Sequence, residues 1–353
     1  MPKLFFPKCD DPLEKRTALT PATCGNFLDL GFEVSAERGL GEAAGFLDAD
    51  YVGIQWGNMD NAAIVIEVIP QDRVLSQLAA GTTHISLLDA YRYGDIIEKY
   101  KSQLKLISLE RIPRSTFAQK MDVLSSQASL SGYAAVIQAV AQVPSVFPMM
   151  TTPAGTITPQ RVLVIGAGVA GLQAIATARR LGANVEAFDT RPEVEEQVRS
   201  LGAKFVKIDL GETGTSQQGY ANALTEGQLQ LQREGLKMAC QRANIVITTA
   251  KLFGCAAPRI ITEEMIFAMK PGALIIDLAV AYGGNVENSK PETITISRNG
   301  VRILGMAYPE STIAKTASDM FSANIYQLIA HLTNNSEHLM TEEDPIYQSC
   351  LVR

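Results

Sequence analysis

The sequence feature that most constrains the fold is a set of three glycines that follows a short apolar segment. Val162–Ile165 is apolar throughout, which is typical of a strand buried on both faces of a parallel sheet. Gly166, Gly168 and Gly171 follow with the spacing G-x-G-x-x-G. In this pattern the first glycine permits a tight turn, the second lets a pyrophosphate approach the backbone, and the third lets a helix pack on the strand. The helix would begin with free N–H groups and its positive dipole end facing the phosphates.

An acidic residue further along supports a dinucleotide-binding interpretation. A second apolar segment, Val185–Phe188, ends at Asp189, close to the roughly twenty residues beyond the glycines at which such folds place their ribose-binding acid. The carboxylate would accept hydrogen bonds from both hydroxyls of an adenosine ribose. Because a carboxylate repels a 2′-phosphate, the sequence favours NAD(H) over NADP(H).

Length and charge limit the class of protein. A chain of 353 residues favours two domains, and 46% hydrophobic with 19% charged residues is typical of a soluble globular enzyme. A net charge of −6 without a basic cluster argues against a nucleic-acid partner. No apolar run approaches the ~18 residues needed to span a bilayer, and the N-terminus is too short and too interrupted by proline for a signal peptide.

Cysteine and histidine usage argues against a metal site or a disulfide framework. The five cysteines are scattered and include no C-x-x-C pair, so they predict reduced thiols in a cytoplasm. His331 and His338 lie near the C-terminus, where a solvated helix face is favoured over metal binding. We expect no metal.

Apolar segments alternate with helical patterns along most of the chain, which predicts parallel sheets with helices on both faces. The fold class predicted is α/β, with two Rossmann-like domains built on doubly wound parallel sheets. Representative predicted strands are Lys3–Phe6, Thr83–Leu88 and Ala203–Ile208, and representative predicted helices are Thr20–Leu30, Asp72–Ala79 and Ala314–Leu332.

Four segments interrupt this alternation. A polar segment, residues 110–127, precedes a long helix of small and apolar residues at about Leu124–Gln142. Thr151–Pro159 is interpreted as a connector into the nucleotide-binding strand. Gly211–Tyr220 is rich in Gly, Thr, Ser and Gln, which is typical of a long loop that acts as a mobile lid. The polar closing segment, Asn334–Arg353, is expected to be partly disordered.

The polar segment carries the most specific resemblance to a known family. Its motif consists of Pro113-Arg114, Gln119, Asp122, Ser125-Ser126-Gln127 and Gly132-Tyr133. It resembles the NAD(H)-binding component, the alpha subunit, of proton-translocating nicotinamide nucleotide transhydrogenase, which is related to alanine dehydrogenase. The runs that also match are Gly166–Gln173, Asp189–Val194, Ile276–Val280 and Gly283-Gly284-Asn285.

The resemblance implies which residues act. Arg114 and Gln119 would fix the nicotinamide, Asp122 would brace Arg114, and Ser125 would complete the reaction site. Hydride transfer between two nicotinamides moves no proton at the reacting carbons, so the site needs orientation and exclusion of water rather than a histidine base. The predicted cofactor-binding residues are Gly166, Ala167, Gly168, Val169, Gly171, Asp189, Thr190, Arg191, Gly219, Tyr220, Thr249, Ala250 and Lys251. Among these, Gly219 and Tyr220 resemble the family's loop that closes over NAD(H).

Two alternative functions remain open at this point. A stand-alone alanine dehydrogenase would need cations for a substrate carboxylate and an acid–base group. Arg16 could meet the first need, but Glu67 stands on the strand where that family carries a lysine, and His84 is interpreted as a core histidine. The second alternative is a non-catalytic NAD-binding module. Departures from the family at Ala281-Tyr282 and Ala307-Tyr308 would affect partner-facing surfaces.

The resemblance also implies partners and location. NADP(H)-binding and membrane-spanning transhydrogenase subunits would be separate polypeptides. This chain would form a homodimer and lie in the cytoplasm, peripherally on the cytoplasmic side of the inner membrane. We predict a discontinuous first domain, residues 1–125 with 312–353, and an NAD(H)-binding domain, residues 126–311.

Overall fold

The structure is a computed structural model that describes residues 1–211, 213–214, 224–333 and 343–352. The chain divides into two compact units, residues 1–127 with 310–353 and residues 128–309. Within the described ranges, no helix has the length and apolar character needed to cross a membrane.

Strands and helices alternate along the chain. In chain order the strands are β1 (Lys3–Phe6), β2 (Glu33–Ala36), β3 (Gln55–Trp56), β4 (Ile64–Ile66), β5 (Thr83–Ser86), β6 (Lys105–Ser108), β7 (Met150–Thr152), β8 (Gly155–Ile157), β9 (Arg161–Ile165), β10 (Asn184–Phe188), β11 (Lys204–Phe205), β12 (Ile245–Thr248), β13 (Leu274–Asp277), β14 (Ile294–Ile296) and β15 (Arg302–Gly305). The α-helices are α1 (Pro21–Asp29), α2 (Asp72–Leu75), α3 (Ala90–Tyr100), α4 (Val123–Gln142), α5 (Val169–Arg180), α6 (Glu195–Ser200), α7 (Glu226–Arg242), α8 (Glu263–Ala268), α9 (Ala314–Leu332) and α10 (Pro345–Cys350).

The first unit is built on a six-stranded sheet in the order β3-β2-β1-β4-β5-β6, and all of its pairings are parallel. Leu4, Phe5 and Phe6 of the central strand are fully buried, as expected for a strand covered on both faces. Helix α9 supplies apolar side chains to the same core as α1. The rings of Phe27 on α1 and Tyr326 on α9 meet edge to face at 5.8 Å.

The described part of the C-terminal segment, residues 343–352, packs around the short helix α10. The expectation of partial disorder for Asn334–Arg353 stays a prediction for the rest of the segment, which lies outside the described residues. Asp344 caps α10 by accepting hydrogen bonds from the backbone N–H groups of Ile346 and Tyr347. Tyr347 is buried, and Val352 N–H donates to the Leu106 carbonyl on β6. Among the described residues of this segment, Ile346, Tyr347 and Cys350 are buried in the core of the first unit.

The second unit contains a seven-stranded sheet in the order β11-β10-β9-β12-β13-β15-β14. Only β14, at one edge, is antiparallel to its neighbour. Alternate side chains of β9 serve two separate cores, because Val162 and Val164 pack on one face while Leu163 and Ile165 pack on the other. The fold class predicted from the sequence, α/β with doubly wound parallel sheets, is confirmed.

The sequence predicted several short elements with bounds that are too long and missed others. Strand β11 covers only Lys204–Phe205 of the predicted Ala203–Ile208, and α2 ends at Leu75 instead of Ala79. The predicted connector at Thr151–Pro159 contains the hairpin β7–β8, and the edge strand β14 was missed. Such elements bury little apolar surface, so no hydrophobic run marks them.

Candidate functional site

The glycine-rich turn lies between β9 and α5 and requires glycine at two positions. Gly166 has φ +97°, in the region that side chains disfavour. A Cβ on Gly171 would lie 1.8 Å from the Gly166 carbonyl oxygen, so the helix packs directly on the turn. Gly168 is different, because the nearest atom to its ideal Cβ is Arg191 Nη2 at 3.9 Å. The space over Gly168 therefore admits a ligand close to the backbone.

Helix α5 presents an anion-binding end beside this space. Gly168 is its N-cap, and Val169 is the exposed first residue. The first N–H groups of a helix have no partner within it and carry the positive end of the dipole. A phosphate group fits this position by charge and by hydrogen bonding.

The carboxylate of Asp189 follows β10 and is already occupied by protein donors. Its Oδ2 accepts from the Ala167 N–H at 2.7 Å and from Arg191 Nη2 at 2.9 Å. Its Oδ1 accepts from the Arg191 N–H and from Arg191 Nε, each at 2.9 Å. The hydrogen bonds to Asp189 raise the pKa of the Arg191 guanidinium above its ordinary value. The predicted ribose contact thus competes with a bidentate ion pair that sequence reasoning did not anticipate.

The loop after β12 forms the other side of the turn. Thr249 Oγ1 donates to the Gly166 carbonyl at 3.1 Å. Asn285 then holds the next residue from both sides: its Oδ1 accepts from the Ala250 N–H at 3.1 Å, and its Nδ2 donates to the Ala250 carbonyl at 2.8 Å. The same Nδ2 donates to the Pro258 carbonyl at 2.9 Å, so one buried amide fixes both ends of the loop.

Asp277 in turn fixes Asn285. It lies at the end of β13, fully buried, and accepts from the backbone N–H groups of Ala279, Asn285 and Val286 at 2.9–3.3 Å. Gly283 and Gly284 have φ +89° and +83°, which allows the chain to return to this carboxylate. In the sequence these residues were recognised only as part of the family resemblance, and their role in holding the loop after β12 was not predicted. The available signal was an acid at a strand end followed closely by Gly-Gly-Asn.

The remaining predicted cofactor residues lie around this turn or outside the described ranges. Lys251 Nζ lies 4.7 Å from the centre of the Tyr282 ring. The Thr190 carbonyl accepts a hydrogen bond from the Thr213 hydroxyl at 2.8 Å. Gly219 and Tyr220, and with them most of the predicted lid, lie outside the residues that the structure describes.

The predicted hydride-transfer residues belong to the first unit. Arg114 is exposed, and Gln119 is exposed within the 3-10 helix Ala118–Met121. Asp122 precedes α4 and accepts from the Ser125 backbone N–H at 2.9 Å and from its hydroxyl at 2.5 Å. These bonds show a helix-capping role for Asp122. The role predicted from the sequence, in which Asp122 braces Arg114, stays a prediction.

Two buried acid–base pairs lie elsewhere in this unit. Arg16 is 7% exposed and Glu14 is 3% exposed; their side chains form a bidentate ion pair, and Arg16 Nη1 donates to Gln127 Oε1 at 2.9 Å. His84 is fully buried with Nε2 at 2.8 Å from Glu67 Oε1. Its Nδ1 has no hydrogen-bond partner in the described part of the chain. The prediction of a core histidine agrees with this position.

The environment of His331 differs from the expectation of a solvated face. Its Nε2 lies 2.9 Å from Asp344 Oδ2, and its ring meets Phe117 edge to face at 5.1 Å. His338 lies outside the described residues. Within the described ranges, no group of three or more His, Cys, Asp or Glu side chains is placed to hold a metal ion.

Comparisons with known proteins show the family to which the chain belongs. The family model of the alanine dehydrogenase/PNT N-terminal domain matches residues 6–131, and that of the C-terminal domain matches residues 135–353. A protein of Rickettsia prowazekii that is named as the first portion of an NAD(P) transhydrogenase subunit alpha is 39% identical over 94% of this chain and 89% of its own length. The crystal structure of transhydrogenase from Sinorhizobium meliloti superposes with a TM-score of 0.88 at 37% identity, covering 99% of this chain and 97% of that one.

Alanine dehydrogenases are more distant. The enzyme of Halomonas elongata is 29% identical over 82% of this chain and 76% of its own length. The resemblance predicted from the sequence is therefore confirmed. The chain belongs to the alanine dehydrogenase/PNT family, and it is more similar to these two transhydrogenase proteins than to this alanine dehydrogenase.

Proposed function

We propose that this chain is the NAD(H)-binding subunit of a nicotinamide nucleotide transhydrogenase. It would exchange a hydride with NADP(H) held by a partner subunit, and the whole complex would couple this exchange to proton translocation. The observation that carries the proposal is the glycine turn at Gly166–Gly171, with its open space over Gly168, in a chain 39% identical to a transhydrogenase alpha subunit.

The second unit supplies the cofactor-binding surface. The N-terminus of α5 would hold the pyrophosphate, and Gly168 would let it approach the backbone. The carboxylate of Asp189 would accept hydrogen bonds from the adenosine ribose once Arg191 gives up part of its ion pair. Thr249, Ala250 and Lys251 would border the nicotinamide half, held in place by Asn285.

The first unit would supply the residues that orient the nicotinamide. A bound NADH supplies the hydride, so the protein need only position the ring and exclude water. Arg114 and Gln119 are exposed and therefore accessible to a ligand. Asp122 and Ser125 would position this segment through their hydrogen bonds at the start of α4. The Gly219–Tyr220 loop would shield the site.

An amino-acid dehydrogenase is supported less well. Such an enzyme needs an uncompensated cation for the substrate carboxylate. Here the Arg16 guanidinium is buried and paired with Glu14, and the position expected for a lysine carries Glu67, which is bonded to His84.

We propose a homodimer that lies peripherally on the cytoplasmic side of the membrane, beside NADP(H)-binding and membrane-spanning subunits. Tyr133, Ile137 and Val140 are about 40% exposed on one face of α4 at helical spacing. An apolar face of this kind supports burial against a second copy.

Reconstitution tests the function. The chain is mixed with an NADP(H)-binding transhydrogenase module, and reduction of an NADP⁺ analogue by NADH is followed optically. We expect hydride transfer, and we expect Arg114→Ala to slow it by at least about tenfold while NADH affinity stays within about twofold. Lys120→Ala, an exposed cation in the same segment, is the matched control.

Each competing function predicts a different experimental result. An Arg114→Ala variant that keeps the full transfer rate with intact NADH binding would refute the assigned role. NADH oxidation by pyruvate and ammonia without a partner would identify an alanine dehydrogenase. NADH binding without transfer to any NADP⁺ analogue would indicate a non-catalytic module.

A further inference from the structure

A cavity of about 420 Å³ lies in the second unit at the amino ends of the strands β9, β10 and β11. The glycine turn is at the opposite, carboxyl end of β9. Arg161, at the start of β9, is five residues from Gly166, which corresponds to about 17 Å at a rise of roughly 3.3 Å per residue. The cavity is therefore separate from the cofactor-binding surface.

Its wall is strongly basic in an acidic protein. Four of the lining side chains are cationic, namely Arg161, Arg179, Lys204 and Arg242, and only Glu186 is acidic. The residues that line the cavity therefore carry a net charge of +3, whereas the whole chain carries a net charge of −6. A concave wall of one charge sign concentrates ions of the opposite sign.

Protein groups contact three of the four cations. Arg179 Nη1 donates to the Ala183 carbonyl at 3.1 Å. Glu186 lies between two of the cations, with Lys204 Nζ at 3.7 Å and Arg242 Nη2 at 3.2 Å. Among the described residues, no partner is found for the guanidinium of Arg161, whose Cα pairs in register with that of Asn184 on the neighbouring strand.

Helix dipoles explain only part of the pattern. Arg179 and Arg242 stand in the last turns of α5 and α7, where a cation offsets the negative end of the dipole. Arg161 and Lys204 lie on strands, so a helix dipole does not account for their positive charge. The convergence of strand and helix cations on one cavity points to a ligand.

We propose that this cavity binds a small ligand that carries a diphosphate group. Planar guanidinium groups pair with phosphate oxygens in a bidentate fashion, and three of the four cations are arginines. A diphosphate carries about three negative charges near neutral pH, which would neutralise the net positive charge of the residues that line the cavity. The cavity volume lies within the range of small-molecule sites.

Calorimetric titration of the full chain with inorganic pyrophosphate tests the proposal. We expect saturable binding at low ionic strength, weaker binding of inorganic phosphate, and about tenfold weaker pyrophosphate binding in each of Arg161→Gln and Arg242→Gln. Arg180→Gln is the matched control, because Arg180 is exposed on α5 next to Arg179 but does not line the cavity. Circular dichroism verifies that the variants are folded.

We expect pyrophosphate binding at this cavity to be independent of NADH binding at the glycine turn. Saturating NADH is expected to leave pyrophosphate binding unchanged, and the cavity variants are expected to retain NADH affinity. Competition between pyrophosphate and NADH would place the anion at the glycine turn and overturn the proposal. Absence of saturable binding, or equal weakening in Arg180→Gln, would also overturn it.

Discussion

At the scale of single residues, the site depends on side chains that hold backbone groups as well as on those that face a ligand. Asp189 accepts four hydrogen bonds from Ala167 and Arg191, which is about the full acceptor capacity of a carboxylate. It therefore shapes the glycine turn before any nucleotide binds. Ribose recognition at this position would require exchange of Arg191 donors for ribose hydroxyls.

Asp189→Asn tests this double role. The amide keeps the size of the side chain but loses the charge and half of the acceptors, so we expect NADH affinity to fall about tenfold or more. Preference for NADH over NADPH should fall with it, because the repulsion of a 2′-phosphate is removed. Nucleotide fluorescence titrations measure both affinities, with Glu196→Gln, an exposed acid of α6, as the control. Preferential binding of NADPH by the unmodified chain would contradict the assignment of NAD(H).

Asn285 shows which site residues a sequence pattern does not reveal. Its amide bonds to Ala250, 35 positions away, and to Pro258, 27 positions away. No local periodicity encodes a contact at such separations. The glycine turn was predictable because Gly166, Gly168 and Gly171 lie within six residues of one another, and the Gly171 position packs against the Gly166 carbonyl.

At the scale of elements, α4 and α5 pack so closely that their backbones are in contact at Gly132. A Cβ placed on Gly132 would lie 2.0 Å from the Ala170 carbonyl oxygen in the first turn of α5. Helices that cross this closely require a residue without a side chain at the contact. The position of α4 is therefore coupled to the helix end that would hold phosphate.

Gly132→Ala tests that coupling. The added methyl group has to push the helices apart, and overpacking of this kind destabilises by about 1–3 kcal/mol despite the better helix propensity of alanine. We expect a lower melting temperature together with weaker NADH binding. Gly227→Ala on α7 is the control, because nothing lies within 4 Å of its Cβ and stability should stay equal or rise by up to about 1 kcal/mol. Unchanged melting in Gly132→Ala would show that α4 moves away freely.

The length of an element affected how well its bounds could be predicted from the sequence. Helix α9 has the predicted bounds, Ala314–Leu332, because apolar residues repeat over about five turns and those on one face, such as Phe321, Ile325 and Leu328, are fully buried. Strands β11 and β14 have two and three residues at the edges of their sheet, too few for an alternation to be visible.

At the scale of the whole molecule, one carboxyl group gives the chain a specific pH dependence. Glu110 follows β6 and accepts hydrogen bonds from the Leu88 and Asp89 N–H groups and from the Ser108 hydroxyl. Burial nevertheless raises the pKa of this carboxyl group from its ordinary 4.5 to about 7. Between these two values the folded chain binds more protons than the unfolded chain, so stability falls as the pH rises through this window.

Glu110→Gln should flatten this dependence. Between pH 5 and pH 8 the free energy of unfolding of the unmodified chain is expected to fall by about 1–3 kcal/mol more than that of the variant, because only the former must ionise this partly buried carboxyl group. Melting temperatures across this range provide the measurement, and Glu343→Gln, an exposed acid of the same unit, should behave like the unmodified chain. An identical slope in Glu110→Gln would assign the dependence to other groups.

The division of the chain has a consequence for its synthesis. The first unit is interrupted by residues 128–309, which form the second unit without a break. Phe27 therefore cannot meet Tyr326 until late in translation, and the core around α1 stays incomplete until α9 has left the ribosome. At roughly 5–20 residues per second, translation of the interruption takes about 10–40 s. During that time the later-made unit is free to fold first, while the apolar face of the N-terminal sheet remains exposed to chaperones and to other nascent chains.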